Sequence, residues 1–295
     1  MSAVALSTET AAISAPHGRR FAPAVFLTAA ACLAVMAIMS APLALSFLAS
    51  IKTPADASAS PPHYLPQALS LENYVKVIDF QAGLATYVGN SLIVALMTIA
   101  ACIVLAAPAG YGLARFSMRG KEIAFLILLA PIMIPYQAIL TPLYLDFAKV
   151  GLVNTHVGLA VVHTILQLPF SIYLMRNSFE AIPREIEEAA MVDGCSAWRR
   201  LAFVFLPLAV PALVTVALFA FINSWNEFLA ALIFMSRETS FTVPIMLVSV
   251  RIGHHGAVDW GALQASVVIS IIPCLAVYLA LQRYYMSGLL SGAVK

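Results

Sequence analysis

The sequence of residues 176–207, RNSFEAIPREIEEAAMVDGCSAWRRLAFVFLP, decides the fold class because it places a charged loop between two long apolar runs. Five of the 14 acidic residues of the chain lie in 176–200. Pro183 suits the first position of a helix, where a backbone N–H has no partner. Gly194 can end that helix with a positive φ angle, and Ser196 can cap a second one. The pattern predicts a short helix, a glycine elbow and another helix.

Two interpretations of this loop remain open from its pattern alone. It is either an amphipathic connector that lies on a membrane surface, or a docking element that enters a groove on a soluble partner. The second interpretation rests on the small side chains of Ala189 and Ala190, which permit close approach, and on the acidic residues around them.

The apolar runs on either side of the loop are long enough to cross a bilayer, which takes about 20 residues. Six stretches of the chain qualify: 21–51, 87–113, 123–145, 157–174, 202–234 and 262–281. A further run, 241–250, contains Pro244 and is too short, so we expect an external or re-entrant segment there. The sequence therefore predicts an all-α polytopic membrane protein with six transmembrane helices.

The overall composition agrees with a membrane protein. Of the 295 residues, 62% are hydrophobic and only 10% are charged, whereas a soluble domain is about 25% charged. This excludes a soluble enzyme, and a net charge of +2 is too small for a nucleic-acid partner. The four cysteines have neither disulfide nor zinc spacing, so we interpret them as packing residues.

The distribution of Lys and Arg predicts the orientation. With both termini on one side, that side carries 11 of the 16 basic residues and the other side carries five. Since basic loops face the cytoplasm, both termini and the loop 176–200 should be cytoplasmic, and 52–86, 146–156 and 235–261 should be external. We expect 1–20 to be a disordered cytoplasmic tail, 21–51 a first transmembrane helix, 87–285 the transmembrane core and 286–295 a second tail.

The loop also carries a recognisable motif. Glu188-Ala189-Ala190, then Gly194, then Val204-Phe205-Leu206-Pro207 resemble the EAA loop of binding-protein-dependent ABC importers, whose pattern is E-A-A-x3-G-x9-I-x-L-P. Further motifs within 70–295 are similar to the smaller, maltose-type permease of carbohydrate-uptake systems: Asn90-Ser91-Leu92, 109–116, Pro135-Tyr136-Gln137, 151–155, 223–228 and 282–295.

The resemblance implies a permease subunit that forms half of a translocation pore in the bacterial plasma (inner) membrane. Its partners would be a second, homologous permease subunit, two ATPase subunits and an extracytoplasmic solute-binding protein. ATP and Mg would be bound by the ATPase, so this chain needs no cofactor and is not an enzyme. Nucleotide-driven closure of the ATPase would produce alternating access for a sugar, a polyol or a glycerol-phosphate compound.

The resemblance also implies roles for residues of the loop. Glu188 would pair with a polar or cationic group of the ATPase, the two alanines would permit close approach, and Gly194 would set the angle of the elbow. The complete set of predicted ATPase-coupling residues is Glu185, Glu188, Ala189, Ala190, Asp193 and Gly194.

Polar residues inside apolar runs are the candidates for a translocation path or gate: Gln137, Gln167, Asn223, Asn226 and Glu227. A carboxylate within a span is costly and marks a functional site by default. In the alternative interpretation, the Glu227 side chain extends to the external surface or forms an ion pair with Arg237 or Arg251.

Two residues of the fourth apolar run, His163 and Gln167, are four apart and therefore share one helix face. We interpret them first as partners in hydrogen bonds between buried helices. Lining of a pore is the second interpretation.

The third external loop resembles the segment that contacts the binding protein in this family. Its polar and aromatic members are Arg251, His254, His255, Asp259 and Trp260. The adjacent histidines make a weak metal site, and we expect no metal there.

Motifs of other protein classes are missing from the sequence. It has no phosphate-binding G-x-x-x-x-G-K-[ST] motif and no H-E-x-x-H or G-x-S-x-G motif, so neither ATP hydrolysis nor another hydrolase activity is expected. The alternative function is a proton-coupled secondary transporter, although such proteins usually need a chain of buried carboxylates, and Glu227 is the only one well inside a span.

Overall fold

The computed structural model describes the backbone of residues 23–252 and 258–293. Every regular element in these ranges is helical, apart from one isolated bridge between Lys52 and Leu69. The helices are α1 (Pro23–Ser50), α2 (Pro54–Ala57), α3 (Glu72–Ile78), α4 (Leu84–Arg115), α5 (Lys121–Leu129), α6 (Tyr136–Lys149), α7 (His156–Glu180), α8 (Arg184–Val192), α9 (Ala197–Arg200), α10 (Leu206–Leu208), α11 (Val210–Asn226), α12 (Leu229–Phe234), α13 (Val243–Ile252) and α14 (Trp260–Ala293).

The chain divides after Ala44 into two compact units. The first is described from Pro23 onwards and consists of the apolar N-terminal part of α1. The second contains the end of α1 and all later helices. The predicted tail 1–20 lies outside the described residues. At the other end, α14 continues to Ala293. The predicted boundary between the core and the second tail, at 285/286, is therefore not a break in the helix.

Among the described residues, four helices are long and apolar enough to cross a membrane: Val25–Ser50, Leu84–Arg115, His156–Glu180 and Trp260–Gln282. Two further pairs of helices pass the same test together but are sharply bent. Lys121–Met133 meets Tyr136–Lys149 at 98°, and Ala197–Leu208 meets Val210–Asn226 at 79°. Length and composition therefore give four spans, or up to six if each bent pair is one span.

The bends explain why the predicted runs 123–145 and 202–234 are not single straight helices. Pro131 and Pro135 flank the first break, with a 3₁₀ turn at Ala130–Met133 before it. Pro207 and Pro211 flank the second, next to Ala209. A proline lacks a backbone donor and clashes with the preceding turn, so it ends or kinks a helix. Pro273, in contrast, lies within the uninterrupted α14.

The core of the second unit is the close packing of α4 against α7, with α11 against both. At Gly110, α4 approaches α7 closely, because a Cβ added there would lie 2.8 Å from Arg176 N and from Met175 Cβ. Small residues at such crossings let helices approach each other in a membrane. This crossing brings the C-terminal halves of α4 and α7 together, and the loop 176–200 begins there.

The predicted external segment 52–86 contains α2 and α3, and hydrogen bonds of buried polar groups hold it in place. Asn73 Nδ2 donates to the carbonyls of Ser50 and Lys52 at 3.1 and 2.7 Å. Asp56 accepts a 3.0 Å bond from Gln67 N–H and lies 2.9 Å from His63 Nδ1. The hydrogen bond from Gln67, followed by that of His63, lowers the pKa of Asp56 below its usual value.

Candidate functional site

The loop 176–200 has the helix, elbow and helix that its sequence predicts. Gly194 follows α8 with φ at +76°. Its N–H donates to Met191 O at 3.0 Å and that of Cys195 to Ala190 O at 3.0 Å, which is the pair of bonds of a Schellman motif. Ser196 caps α9. The helix begins one residue later than predicted, since Pro183 is its extended cap rather than its first residue. We call Arg184–Arg200 the coupling element.

The outward face of the coupling element carries most of the predicted coupling residues. Glu185, Glu188, Ala189, Asp193 and Gly194 are exposed. Ala190 is the exception. It is buried against its own chain, so the expectation that it offers a small surface to a partner is corrected.

Large apolar side chains lie beside these acidic residues. Val192 is 88% exposed and Trp198 is 72% exposed, and Met191 is also exposed. Large apolar side chains that are exposed next to acidic residues are typical of an interaction surface.

Glu187 holds the inner face of the coupling element to the helix core, and sequence reasoning missed it. Its Oε1 accepts a 3.2 Å hydrogen bond from the Tyr111 hydroxyl. Arg115 Nη1 lies 3.8 Å from Oε2, and Arg200 Nε lies 3.5 Å from Oε1. All four side chains are largely buried, and we call them the Glu187 cluster. A buried carboxylate is retained only with such partners.

Arg115 extends the Glu187 cluster to the surrounding backbone. Its Nη2 donates to the carbonyls of Phe179 and Ile182, at the junction between α7 and α8. Its guanidinium lies 4.8 Å from the centre of the Phe205 ring. Phe205 ends a π-helical turn, Leu201–Phe205, that joins α9 to α10. The cluster thus connects α4, α7, α8 and the start of the second bent pair.

A separate cavity of about 830 Å³ lies among α7, α11 and the bent segment between α5 and α6. It brings together four of the five predicted path residues: Gln137, Gln167, Asn223 and Glu227. The fifth, Asn226, does not line it, and its amide donates to Ile222 O of its own helix at 2.8 Å.

Glu227 sits at the break between α11 and α12, where its carboxylate binds the start of α12. Oε1 accepts from Ala230 N–H at 2.8 Å and Oε2 from Ala231 N–H at 3.0 Å. His163 Nε2 lies 3.3 Å from Oε2, and His163 Nδ1 shares a 2.8 Å hydrogen bond with Ser224 Oγ. The side chain is 11% exposed, so the alternative of surface excursion or a pair with Arg237 or Arg251 is wrong.

Of the two interpretations of the His163 and Gln167 face, the structure confirms hydrogen bonds between buried helices, and lining of a pore stays a prediction. Each side chain makes a hydrogen bond to α11, since Asn223 Nδ2 donates to Gln167 Oε1 at 2.6 Å and His163 contacts Ser224. Each also lines the cavity. The same side chains therefore both join the two helices by hydrogen bonds and line the cavity.

The candidate binding-protein contacts are only partly within the described residues. Arg251 and Trp260 are exposed. Asp259 accepts a 3.0 Å bond from Ala262 N–H at the start of α14 and pairs with Lys76 Nζ at 3.2 Å. His254 and His255 lie outside the described residues. Within 23–252 and 258–293, no group of three or more potential metal ligands forms a site.

Comparison with known proteins decides the family. Residues 103–289 match the family described as "Binding-protein-dependent transport system inner membrane component". The match covers more than half of the chain and includes the coupling element and the cavity. The chain belongs to this family. The permease is thus a multi-pass protein of the inner membrane.

Relatives and solved structures support the same assignment. The permease is 34% identical over 227 residues to the trehalose/maltose transport system permease protein MalG of Thermococcus litoralis, covering 77% of this chain and 81% of the relative. It is 32% identical over 246 residues to the sulfoquinovosyl glycerol transport system permease protein SmoH of Agrobacterium fabrum, covering 83% and 85%.

The fold of the permease is also that of a solved ABC transporter chain. A crystal structure of a bacterial ABC transporter involved in the import of the acidic polysaccharide alginate superposes with a TM-score of 0.78 at 24% identity, covering 92% of this chain and 100% of the other. The resemblance to carbohydrate-uptake permeases is confirmed at the level of the family. The comparisons give the proton-coupled alternative no support.

Proposed function

We propose that the permease forms one half of the pore of an ABC importer and carries a sugar or a related polyol or glycerol-phosphate solute by alternating access. The relatives named for trehalose, maltose and sulfoquinovosyl glycerol transport support this solute class. A second, homologous permease would form the other half. Two ATPase subunits and an extracytoplasmic binding protein would complete the transporter.

The proposed topology has six spans with both termini in the cytoplasm. Each bent pair then counts as one span, in addition to the four long helices. The excess of Lys and Arg on one side supports this orientation. It puts the coupling element in the cytoplasm and the loop with Arg251, Asp259 and Trp260 outside, where a binding protein could contact it.

The observation that carries the proposal is the geometry of the coupling element. Its outer face exposes Glu188 and Asp193 beside Val192, a surface suited to a soluble partner. Its inner face is fixed to α4 and to the second bent pair through Glu187. Rigid attachment is what the transmission of a rigid-body movement requires.

In this proposal, the partner ATPase subunits hydrolyse ATP. ATP and Mg would bind the ATPase subunits, with no cofactor in the permease. Closure of the ATPase dimer would move the coupling element, and through the Glu187 cluster it would move α4 and α11 around the cavity. The cavity residues Gln137, Gln167, Asn223 and Glu227 would then form this chain's part of the translocation path.

Reconstitution tests the proposal. The permease, its partner permease and the ATPase are placed in proteoliposomes, loaded binding protein is added outside, and uptake of its solute is measured with and without enclosed ATP. We expect uptake that requires ATP and is insensitive to a protonophore. Uptake that persists without the ATPase and collapses with a protonophore would overturn the proposal.

A further inference from the structure

The cavity between α7, α11 and the α5–α6 bend has a buried donor with no partner. Gln167 is only 5% exposed, and its Nε2 makes no hydrogen bond. Its orientation is fixed because Oε1 accepts the bond from Asn223 Nδ2. A buried amide donor is unfavourable unless another group supplies an acceptor, and the hydroxyl oxygen of a bound solute would be such an acceptor.

Apolar and aromatic side chains lie next to these amides in the cavity lining, three or four residues away on the same helices. Phe170 and Phe219 both line the cavity, with ring centres 5.1 Å apart and planes at 72°. The volume of about 830 Å³ is within the usual range of small-molecule sites. An aromatic surface beside polar amides suits a solute with an apolar C–H face and hydroxyl edges, which is the chemistry of a sugar ring.

The charge of the lining limits the solute further. Glu227 is held in place by Ala230 and Ala231, and among the described residues that line the cavity none is a lysine or an arginine. Within the described part of the chain, His163 is the one lining residue that can carry a positive charge. The lining is therefore either negative or neutral overall. An anionic solute would meet this carboxylate, whose one possible counter-charge in the cavity lining is His163 at 3.3 Å, so charge repulsion disfavours its binding.

We infer that this cavity is a binding subsite, formed by this chain itself, for an uncharged polyhydroxylated solute. Gln167 donates a hydrogen bond to a solute hydroxyl, Phe219 contacts the apolar face, and Glu227 rejects anions. The inference rests on the proposed function and narrows it, because it separates uncharged sugars and polyols from phosphorylated compounds.

The experiment uses the purified complex of both permeases and the ATPase, without binding protein or nucleotide. Trehalose and trehalose 6-phosphate are the probes, since they differ in one charged group, and saturation-transfer NMR measures their binding. The wild type should bind trehalose, and should bind its phosphate at least about tenfold more weakly. This comparison needs no variant.

Two variants and a control test whether residues of this chain cause the binding of trehalose and the weaker binding of its phosphate. Gln167→Met keeps the side-chain length but removes the donor, and it should weaken trehalose binding about fivefold, the value of one neutral hydrogen bond. Glu227→Gln should reduce the difference between the two probes. Thr215→Val is the matched control on α11, because its hydroxyl already donates to Pro211 O at 2.9 Å, and it should bind like the wild type.

Several results would overturn the inference: binding of neither probe, equal or tighter binding of the phosphate, or unchanged binding by Gln167→Met. ATP-driven uptake by the same preparation distinguishes failure of the proposed subsite from failure of the proposed function. If uptake is normal while the binding results fail, the subsite is wrong and the proposed function stands. If the complete transporter shows no ATP-driven uptake, the proposed function is wrong.

Discussion

Glu187 of α8 accepts a 3.2 Å hydrogen bond from the hydroxyl of Tyr111 near the end of α4, although the two residues are 76 positions apart in the sequence. Arg115 and Arg200 surround the same carboxylate. This contact fixes the coupling element to the helix core. The neighbouring Glu188 is exposed and is free to meet a partner. The two adjacent glutamates therefore have different functions in the proposed mechanism.

Glu187→Gln should lower the stability of the permease. The amide keeps the size of the side chain but leaves two buried arginines without their counter-charge, at a cost on the order of 1.5–3 kcal/mol. Thermal unfolding of the purified complex measures this cost. Glu188→Gln is the matched control, and it should leave unfolding unchanged while it lowers ATP-driven uptake. Equal melting temperatures of the two variants would contradict the different functions given to the two residues.

Gly194→Val should reduce uptake and solute-stimulated ATP hydrolysis while membrane insertion stays normal. A β-branched residue at φ +76° costs about 1–2 kcal/mol, and relief of that strain changes the angle of the elbow. A clash is not the cause, since the space around a Cβ at this position is open. Gly120→Val is the matched control, because Gly120 has the same φ of +76° and open space but lies outside the coupling element. Normal uptake by Gly194→Val would contradict this assignment.

Gly110→Ala should destabilise the packing of α4 on α7. The added methyl group would lie 2.8 Å from Arg176 N and Met175 Cβ, and overpacking of this kind costs about 1–3 kcal/mol. Gly112→Ala adds the same group two residues later, where nothing lies within 4 Å. Thermal unfolding should separate the two variants. Similar melting temperatures would show that α4 and α7 are less closely packed than described.

The hydrogen bond of Asp56 should be lost at low pH. The folded pKa of Asp56 is lowered, so its stabilising effect is present above the usual value of 3.8 and is lost as the pH falls through the folded pKa. Hydrogen exchange at the Gln67 amide, which donates to Asp56, should therefore become faster as the pH falls, beyond the intrinsic effect of pH. Asp56→Asn should show weaker protection of this amide at neutral pH. Protection that does not depend on pH or on Asp56 would contradict the prediction.

The features that the sequence predicts well are local ones. Gly194 and Ser196 end and begin helices through bonds to residues within five positions, so their pattern is visible in a short stretch. The burial of Glu187 is not visible, because Tyr111 and Arg115 come from another helix. Ala190 is a similar case, because its small side chain suggests a surface for a partner, whereas the structure buries it.

The contacts of the predicted path residues are likewise not visible in the sequence. Gln167 and Asn223 are recognisable as polar residues in apolar runs, but their shared hydrogen bond joins positions 56 apart. Prolines mark the breaks of the two bent pairs, but the bend angles of 98° and 79° are visible only in the structure. Asn226 has the same residue type and the same run as Asn223 but points elsewhere, because three residues turn a helix by about 300°.

Photo-crosslinking from the coupling element tests the central claim most directly. A benzophenone amino acid replaces Val192, which is 88% exposed on the coupling element, or Val150, which is 67% exposed after α6 on the predicted external side. In the assembled transporter, the probe at 192 should crosslink to the ATPase subunit and the probe at 150 should not. Failure of the probe at 192 to reach the ATPase, or crosslinking of the ATPase from 150, would contradict the account.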